Sequence, residues 1–342
     1  MIQATNRNTT IDTLKGIAII LVIYAHCIQF GSGLNYLETH SFFDNEIFKF
    51  IYSFHMPLFM LISGYLFYFA IQKHSYEHNL KTRIKGLFVP IILWQTIWIL
   101  LWDCHNPINH NVLYVFNSYL NTLWFITSVF FNSLIVLLCN KYAKDSLLLY
   151  IIIFIISLFI PNYHGYNLYV FMLPYFLCGY FYNKTGIIKG TMNRKTIITG
   201  FFSLVILFSI LLYHYRINDY AYTSGTFIIK NHMISMSQIC TDIFRWIIGL
   251  NGSLCVIFLI VLIYKTKTHN FLLKFLSFTG TKTMGLYIIS TYLFKLFYLL
   301  PIKENCYTYN MIECILVIAI SYLLTWLIEQ NQYCRILLLG GR

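Results

Sequence analysis

The sequence predicts an all-α fold, a polytopic membrane helix bundle of about ten transmembrane helices with both the N-terminus and the C-terminus in the cytoplasm. The first observation is composition: of 342 residues, 58% are hydrophobic and only 11% are charged, whereas soluble domains carry about 25% charged residues. The second is a series of long apolar segments, and the third is the placement of Lys and Arg between them. We expect one membrane-embedded domain over residues 1–342, because the helices of such a bundle share one core.

Ten segments are apolar enough to be membrane spans, each of which needs about 20 residues of helix. The third and sixth contain Pro90 and Pro174, which membrane helices tolerate better than soluble helices do. A polar start precedes the first segment and no small-residue cleavage site follows it, so we expect this segment to remain as an anchor. The predicted spans are 11–30, 47–71, 86–102, 118–139, 146–160, 167–183, 196–214, 240–264, 283–300 and 311–328.

The basic residues set the predicted orientation. With the N-terminus in the cytoplasm, about three-quarters of the 24 Lys and Arg residues fall in cytoplasmic segments, as the positive-inside rule requires. This placement accounts for the net charge of +12 and favours anionic membrane lipids as partners, with no nucleic acid among them. The predicted location is the cytoplasmic (inner) membrane of the cell, as a multi-pass protein.

Sequence motifs for nucleotides and metals are absent. There is no Walker A loop, no GxGxxG and no HExxH, and the nine Cys residues form no CxxC pair or zinc spacing. We therefore expect no metal site, and we interpret the Cys residues as small hydrophobic side chains within the bundle.

The first predicted span carries three ionisable residues, Asp12, Lys15 and His26. Eleven residues separate Lys15 from His26, which on an α-helix is three turns plus about 20°, or about 16 Å along the axis. Asp12 lies one turn before Lys15 on the same side. Ionisable groups at membrane depth are costly, so this stripe should face the bundle interior or a wet cavity. The structural alternative is a salt bridge at the membrane edge together with a hydrogen-bonded structural histidine.

The chain resembles the acyltransferase-3 family of integral-membrane acyltransferases, which includes bacterial polysaccharide O-acetyltransferases and fucose 4-O-acetylase-type proteins. The resemblance covers most of the chain, and its centre is the spacing Lys15-x10-His26, where many relatives carry Arg in place of Lys15. Ser290 stands where relatives often have His. Five further motifs follow in the order that the family shows: "FHMPLFMLISGYLFY" (54–68), "KTRIKGLFVP" (81–90), "LWFITSVF" (123–130), "LPYFLCGYFY" (173–182) and "GTKTMGLYIIS" (280–290).

This resemblance implies transfer of an acyl group, most often acetyl, from cytoplasmic acetyl-CoA to a hydroxyl of a carbohydrate. The acceptor would be a capsule, exopolysaccharide or O-antigen-type glycan, or a lipid-linked glycan. His26 would either take the proton of the attacking hydroxyl or accept the acyl group itself. Lys15, paired with Asp12, would hold the pantetheine or phosphate end of the donor.

Five other residues are predicted to bind the donor. Lys81, Arg83 and Lys85 precede a predicted helix and would bind the phosphates of coenzyme A, although cytoplasmic loops carry basic residues for topological reasons as well. His55 would orient His26 or line the acyl tunnel, and its alternative is a structural role. Trp124 would form a wall of that tunnel, or would simply pack.

Two other classes of polytopic membrane protein share this composition. A glycan transporter or flippase would show an inverted repeat with paired broken helices, and the sequence shows no such symmetry. A polysaccharide polymerase would need a large external loop, and the longest predicted one, 215–239, is short and better suited to a lid. On the external side, Asp103, His105 and His110 are predicted to contact the acceptor.

Overall fold

The computed structural model describes residues 8–31, 41–101, 112–163, 165–185, 193–266, 270–297 and 306–341. These residues are overwhelmingly helical. In chain order the α-helices are α1 Thr9–Gly31, α2 Glu46–Tyr52, α3 His55–Lys73, α4 Tyr76–Arg83, α5 Val89–Leu101, α6 Val112–Asn121, α7 Trp124–Ala143, α8 Leu147–Leu158, α9 Tyr166–Thr185, α10 Arg194–His214, α11 Ala221–Ser224, α12 Met236–Lys265, α13 Phe271–Thr281, α14 Thr283–Phe297, α15 Tyr307–Gln330 and α16 Gln332–Leu339.

Where the structure describes them, the ten predicted spans lie mostly on helix, but span 47–71 is divided between α2 and α3, and span 118–139 between α6 and α7. Within the described ranges, seven helical stretches are long and apolar enough to cross a membrane, namely Thr9–Gly31, Glu46–Lys73, Tyr76–Leu101, Trp124–Ala143, Arg194–His214, Met236–Lys265 and Tyr307–Gln330. The chain is therefore a helical, polytopic membrane protein. The count of ten spans and the cytoplasmic termini stay predictions.

The described residues also contain one β-hairpin, which the all-α prediction does not include. Strand β1 (Ile229–Lys230) pairs antiparallel with β2 (Met233–Ile234). The two residues between them, Asn231 and His232, have φ of 51° and 62°, the left-handed conformation that tight two-residue hairpin turns require.

The third predicted span begins ten residues earlier than expected. Helix α4 starts at Tyr76, where the Ser75 side chain accepts a hydrogen bond from the His78 backbone N–H. A π-helical turn, Ile84–Phe88, then joins α4 to α5. Hydropathy alone placed the start at residue 86, because the polar side chains of α4 conceal a segment that a serine cap has already made helical.

The chain forms two compact units. Unit 1 comprises Met1–Ile62, Ile188–Tyr215 and Ile247–Thr325. Unit 2 comprises Ser63–Ile187, Arg216–Trp246 and Trp326–Arg342.

The core of unit 1 centres on the close packing of α1 against α13. Two glycines permit this approach, since a Cβ at Gly16 would overlap the carbonyl oxygen of Leu276, and a Cβ at Gly280 would overlap that of Asp12. Such small-residue contacts let the backbones of membrane helices meet. They bring the turn between α13 and α14 against the start of α1.

In unit 2, α3 and α9 meet in the same way at Gly64, where a Cβ would overlap the carbonyl oxygen of Phe176. Elsewhere in unit 2, buried Arg245 donates from Nη1 to the Gly225 carbonyl oxygen at 2.8 Å and from Nη2 to the Ser224 hydroxyl. Asp242 lies 3.3 Å from Nη2. The hydrogen bonds from Arg245 hold Ser224 and Gly225 against α12.

Candidate functional site

The proposed catalytic histidine lies in a small polar cluster of unit 1. His26 Nδ1 is 3.2 Å from Gln29 Oε1, one helical turn further along α1. The Tyr52 hydroxyl, at the end of α2, lies 3.3 Å from the same nitrogen and donates to Gln29 Oε1 at 3.2 Å. Gln29 is buried, whereas the His26 and Tyr52 side chains keep partial exposure.

The hydrogen bonds of this cluster determine which nitrogen of His26 is the base. A carbonyl oxygen only accepts, so the contact with Gln29 Oε1 requires a proton on Nδ1. In a neutral imidazole the other nitrogen then carries the lone pair. No described residue forms a hydrogen bond with His26 Nε2, which leaves that lone pair available for chemistry.

Aromatic rings surround the imidazole. The Phe294 ring centroid of α14 lies 5.5 Å from that of His26, and the Phe30 ring lies 6.0 Å away. These two phenyl rings stack on each other at 5.3 Å and 3°. The Tyr52 ring meets His26 edge-on at 6.2 Å. The histidine is thus held by shape as well as by hydrogen bonds.

A helix break places Tyr52 and His55 beside each other. Pro57 has no backbone N–H and cannot continue the hydrogen bonding of α2, yet it fits the first turn of α3. The His55 side chain is 1% exposed, and its Nδ1 lies 2.8 Å from the Ile51 carbonyl oxygen, to which it must donate. Its ring meets Tyr52 at 4.7 Å. His55 therefore adjoins the cluster through Tyr52.

Helix α1 also carries the other two predicted residues of the stripe. Lys15 Nζ lies 2.8 Å from Asp12 Oδ1, and the Lys15 side chain is largely buried, so the predicted pairing of Asp12 with Lys15 is present. Because α1 is one continuous helix, Lys15 and His26 stay about 16 Å apart along its axis. The "GTKTMG" turn that begins at Gly280 packs on Asp12 and brings Lys282 toward this end of α1.

The predicted basic segment has a different shape from the one expected. Lys81 and Arg83 lie inside α4, and Lys85 lies in the π-helical turn, so they do not precede a helix N-terminus and that part of the argument is wrong. The Arg83 guanidinium lies 4.4 Å from the centre of the Phe67 ring. Lys81 and Lys85 are exposed.

The structure does not bring Trp124 to this basic segment. Trp124 begins α7 and meets the Tyr222 ring of α11 edge-on at 5.9 Å. Near the other end of α7, Lys141 Nζ lies 4.0 Å from the Tyr76 ring at the start of α4. Seventeen residues of helix, about 25 Å, separate the two contacts, so Trp124 lies with the 216–235 segment.

Sequence reasoning missed Gln29 and Tyr52. The contact of Gln29 with His26 was predictable from the sequence, because Gln29 follows His26 by three residues and shares its helix face. The contact of Tyr52 with His26 was not predictable, because it depends on how α2 packs on α1. Asp103, His105 and His110 lie outside the described residues.

Comparisons with known proteins identify the family of the chain. The family model described as "Acyltransferase domain", that of the acyltransferase-3 family, matches residues 8–330. Nodulation protein NolL of Mesorhizobium japonicum is 35% identical over 146 residues, which are 42% of this chain and 38% of the relative. Nodulation protein NolL of Sinorhizobium fredii is 35% identical over 130 residues, 37% of this chain and 35% of the relative.

The chain thus spans less than two-fifths of the length of these curated relatives. No solved structure matches it. The family match covers nearly the whole chain, and its range contains both α1 and the α13–α14 turn. The chain belongs to the acyltransferase-3 family of membrane acyltransferases.

Proposed function

We propose that the protein is an O-acyltransferase that moves an acyl group, most often acetyl, from acyl-CoA to a hydroxyl of a carbohydrate. The single observation that carries the proposal is the His26 cluster, in which one imidazole nitrogen is held by Gln29 and the other is available. An available, oriented imidazole is what deprotonation of a sugar hydroxyl requires.

The proposed reaction uses His26 as a general base. Nε2 takes the proton of the acceptor hydroxyl while the hydroxyl oxygen attacks the thioester carbonyl carbon. The carbon–sulfur bond then breaks, and the imidazolium returns its proton to the departing thiolate, which yields the ester and free coenzyme A. Gln29 Oε1, which accepts from Nδ1–H, stabilises the positive charge that His26 carries between these steps.

The same lone pair could serve a covalent relay, in which Nε2 attacks the thioester and carries the acyl group to the acceptor. The two routes differ in one observable. The relay accumulates acyl-histidine when the acceptor is withheld, and the general base does not. We propose the general base, because Gln29 and Tyr52 hold His26 in a single orientation suited to proton transfer.

Lys15 is proposed as the residue of unit 1 that binds the acyl donor. Its ammonium, held by Asp12 at 2.8 Å, offers charge to the pantetheine or phosphate groups of acyl-CoA. In unit 2, taken by itself, Lys81 and Lys85 are proposed as phosphate ligands, with Arg83 fixed on Phe67. The proposed setting is the cytoplasmic (inner) membrane of the cell, with both termini in the cytoplasm and no metal in the reaction.

The proposed acceptor is a capsule, exopolysaccharide or O-antigen-type glycan, free or lipid-linked. Support comes from membership of the acyltransferase-3 family, whose motifs the chain shares. That family includes polysaccharide O-acetyltransferases. His26 lies between aromatic rings of Phe30, Phe294 and Tyr52, a surrounding that suits the apolar face of a sugar.

The test uses membranes that contain the protein and labelled acetyl-CoA. We expect label to enter surface glycan, with one free coenzyme A released per ester formed, and both to stop with His26→Gln at equal abundance of the protein. Glycan that crosses the membrane or lengthens without use of acetyl-CoA would instead identify a transporter or a polymerase and would overturn the proposal.

A further inference from the structure

The π-helical turn of unit 2 places two lysines on one side of a helix. In this turn the Val89 N–H donates to the Ile84 carbonyl oxygen, five residues back, and π-helical turns of this kind occur frequently at functional sites. Lys81 and Lys85 are four residues apart and therefore share a face. Both are exposed. No described carboxylate forms an ion pair with Lys85, and Lys81 interacts electrostatically with Glu77 of the preceding turn without a close ion pair.

The C-terminal helix α16 is fixed against this turn. Trp94 Nε1, on α5, donates to the Leu338 carbonyl oxygen at 2.9 Å. Gly340 follows α16 with φ of 64°, and a Cβ there would overlap the backbone of Gly86. Leu339 is buried. Gly86 directly follows Lys85, so the end of α16 lies beside the face that the two lysines share.

This packing adds a third cation. Arg335 precedes buried Leu339 by four residues and so lies at the edge of the face of α16 that meets the turn. Its carbonyl oxygen accepts from the N–H groups of Gly340 and Gly341, which anchors the backbone of Arg335. Its side chain is exposed and has no ion pair within the part of the chain that the structure describes.

We propose that Arg335, Lys81 and Lys85 form one phosphate-binding surface, assembled when α16 docks on the π-helical turn. Arg335 supplies the planar fork that holds two phosphate oxygens, and the lysines supply point charges. The phosphate belongs either to acyl-CoA, in which case the inference rests on the proposed function, or to an anionic lipid headgroup. Exposed apolar residues of α16, among them Tyr333 and Leu337, suit a helix lying at a membrane interface.

The first experiment measures the donor. The purified full-length protein is placed in vesicles of zwitterionic lipid, and the KM for acetyl-CoA is compared with that for acetyl-pantetheine, which lacks the nucleotide phosphates. If acyl-CoA is the ligand, Arg335→Gln and Lys85→Gln each raise the KM for acetyl-CoA about tenfold, with kcat and the KM for acetyl-pantetheine unchanged. Lys195→Gln, which removes an exposed cation of unit 1, leaves all values unchanged.

The second experiment measures the lipid. Vesicles containing phosphatidylglycerol replace the zwitterionic ones, and retained lipid is counted by native mass spectrometry. If a headgroup is the ligand, the same variants lose retained phosphatidylglycerol while the KM for acetyl-CoA is unchanged. This readout needs no enzymatic activity, so it holds even if the proposed function fails. Unchanged donor KM together with unchanged lipid retention overturns the proposal.

A matched glycine pair tests the role of α16. Gly340 and Gly341 both have positive φ, 64° and 77°, but a Cβ at Gly341 would meet only the Ile336 side chain, at 3.8 Å. Gly340→Ala should therefore reproduce the Arg335→Gln loss, because the helix can no longer close on Gly86, while Gly341→Ala causes a smaller one. Equal effects of the two variants would show that docking of α16 does not assemble the surface.

Discussion

Two polar clusters, one in each unit, differ in how completely their central groups are hydrogen-bonded. In unit 2, buried Asp145 accepts from four side chains at 2.8 to 2.9 Å: Lys184, Asn140, Tyr150 and Tyr180. In unit 1, His26 is bound at Nδ1 by its neighbours, and its Nε2 has no described partner. The Asp145 carboxylate accepts four hydrogen bonds from protein side chains, whereas one nitrogen of His26 forms none with the described residues.

This difference separates a structural site from a chemical one. A buried carboxylate that already accepts from four protein donors is held in one place by them, and removing it leaves those donors unsatisfied. Asp145 also holds a strained turn. Lys144 and Asp145 have φ of 48° and 58°, a left-handed backbone conformation that is energetically unfavourable for residues other than Gly. His26 is partly exposed and oriented but not saturated, as a reacting group must be.

The largest expected effect is on catalysis in the His26 cluster. His26→Ala should lower the acyl-transfer rate by about 10² to 10⁴-fold, the range that a general base supplies. The temperature of unfolding in detergent should change little, because His26 is only partly buried. Rate measurements on purified protein, normalised to folded protein, check this expectation. Wild-type rates in the variant would show that His26 is not the general base.

A smaller effect, on stability, is expected in the Asp145 cluster. Asp145→Ala should lower the free energy of unfolding by about 3 kcal/mol, because it leaves buried donors without an acceptor. Its control is Glu46→Gln, which breaks the exposed Lys49–Glu46 pair and should cost at most about 1 kcal/mol. Denaturant or thermal unfolding measures both. Equal losses of unfolding free energy would mean that Asp145 contributes no more to stability than a surface ion pair does.

Positioning of His26 should have a more modest effect. Tyr52→Phe removes the hydroxyl but keeps the ring that stacks on Phe48 at 4.1 Å, and Gln29→Leu removes the acceptor of Nδ1–H. Each should lower kcat by about two- to tenfold, the worth of one hydrogen bond, and should alter the pH profile of kcat. A purely structural role for these residues would change abundance but not the pH profile.

The smallest effect is the pH dependence of stability. Burial alone would raise the pKa of Asp145, but hydrogen bonds from Lys184, Asn140, Tyr180 and Tyr150 hold it below its usual value. A lowered pKa stabilises the folded state at pH values above the unfolded pKa of about 3.9, and this stability is lost as pH falls through the folded value. Unfolding temperatures between pH 7 and pH 3 should fall less steeply in Asp145→Asn than in the wild type.

Local periodicity predicted much of the fold and part of the site. Apolar runs located the helices, because each span must satisfy its own backbone in lipid. Counting along one helix also paired Asp12 with Lys15, which the structure shows at 2.8 Å. Both inferences need only distances within one element, which the sequence states directly.

Features that depend on packing between elements were not predictable. Tyr52 reaches His26 across two helices, and Asp145 collects donors from α7, α8 and α9. The π-helical turn and α16 were missed because short or polar helices carry little hydropathy signal. The helix-terminus argument for Lys81, Arg83 and Lys85 failed for the same reason, since the helix had already begun at Tyr76.

The most direct test compares His26→Ala with Asp145→Ala in one experiment that records folded fraction and acetyl transfer per folded molecule. We predict opposite outcomes: His26→Ala keeps its folded fraction and loses transfer, whereas Asp145→Ala loses folded fraction and keeps wild-type transfer in the molecules that fold. Transfer by folded His26→Ala at the wild-type rate, or its loss in folded Asp145→Ala, would contradict the assignment of chemistry to one cluster and structure to the other.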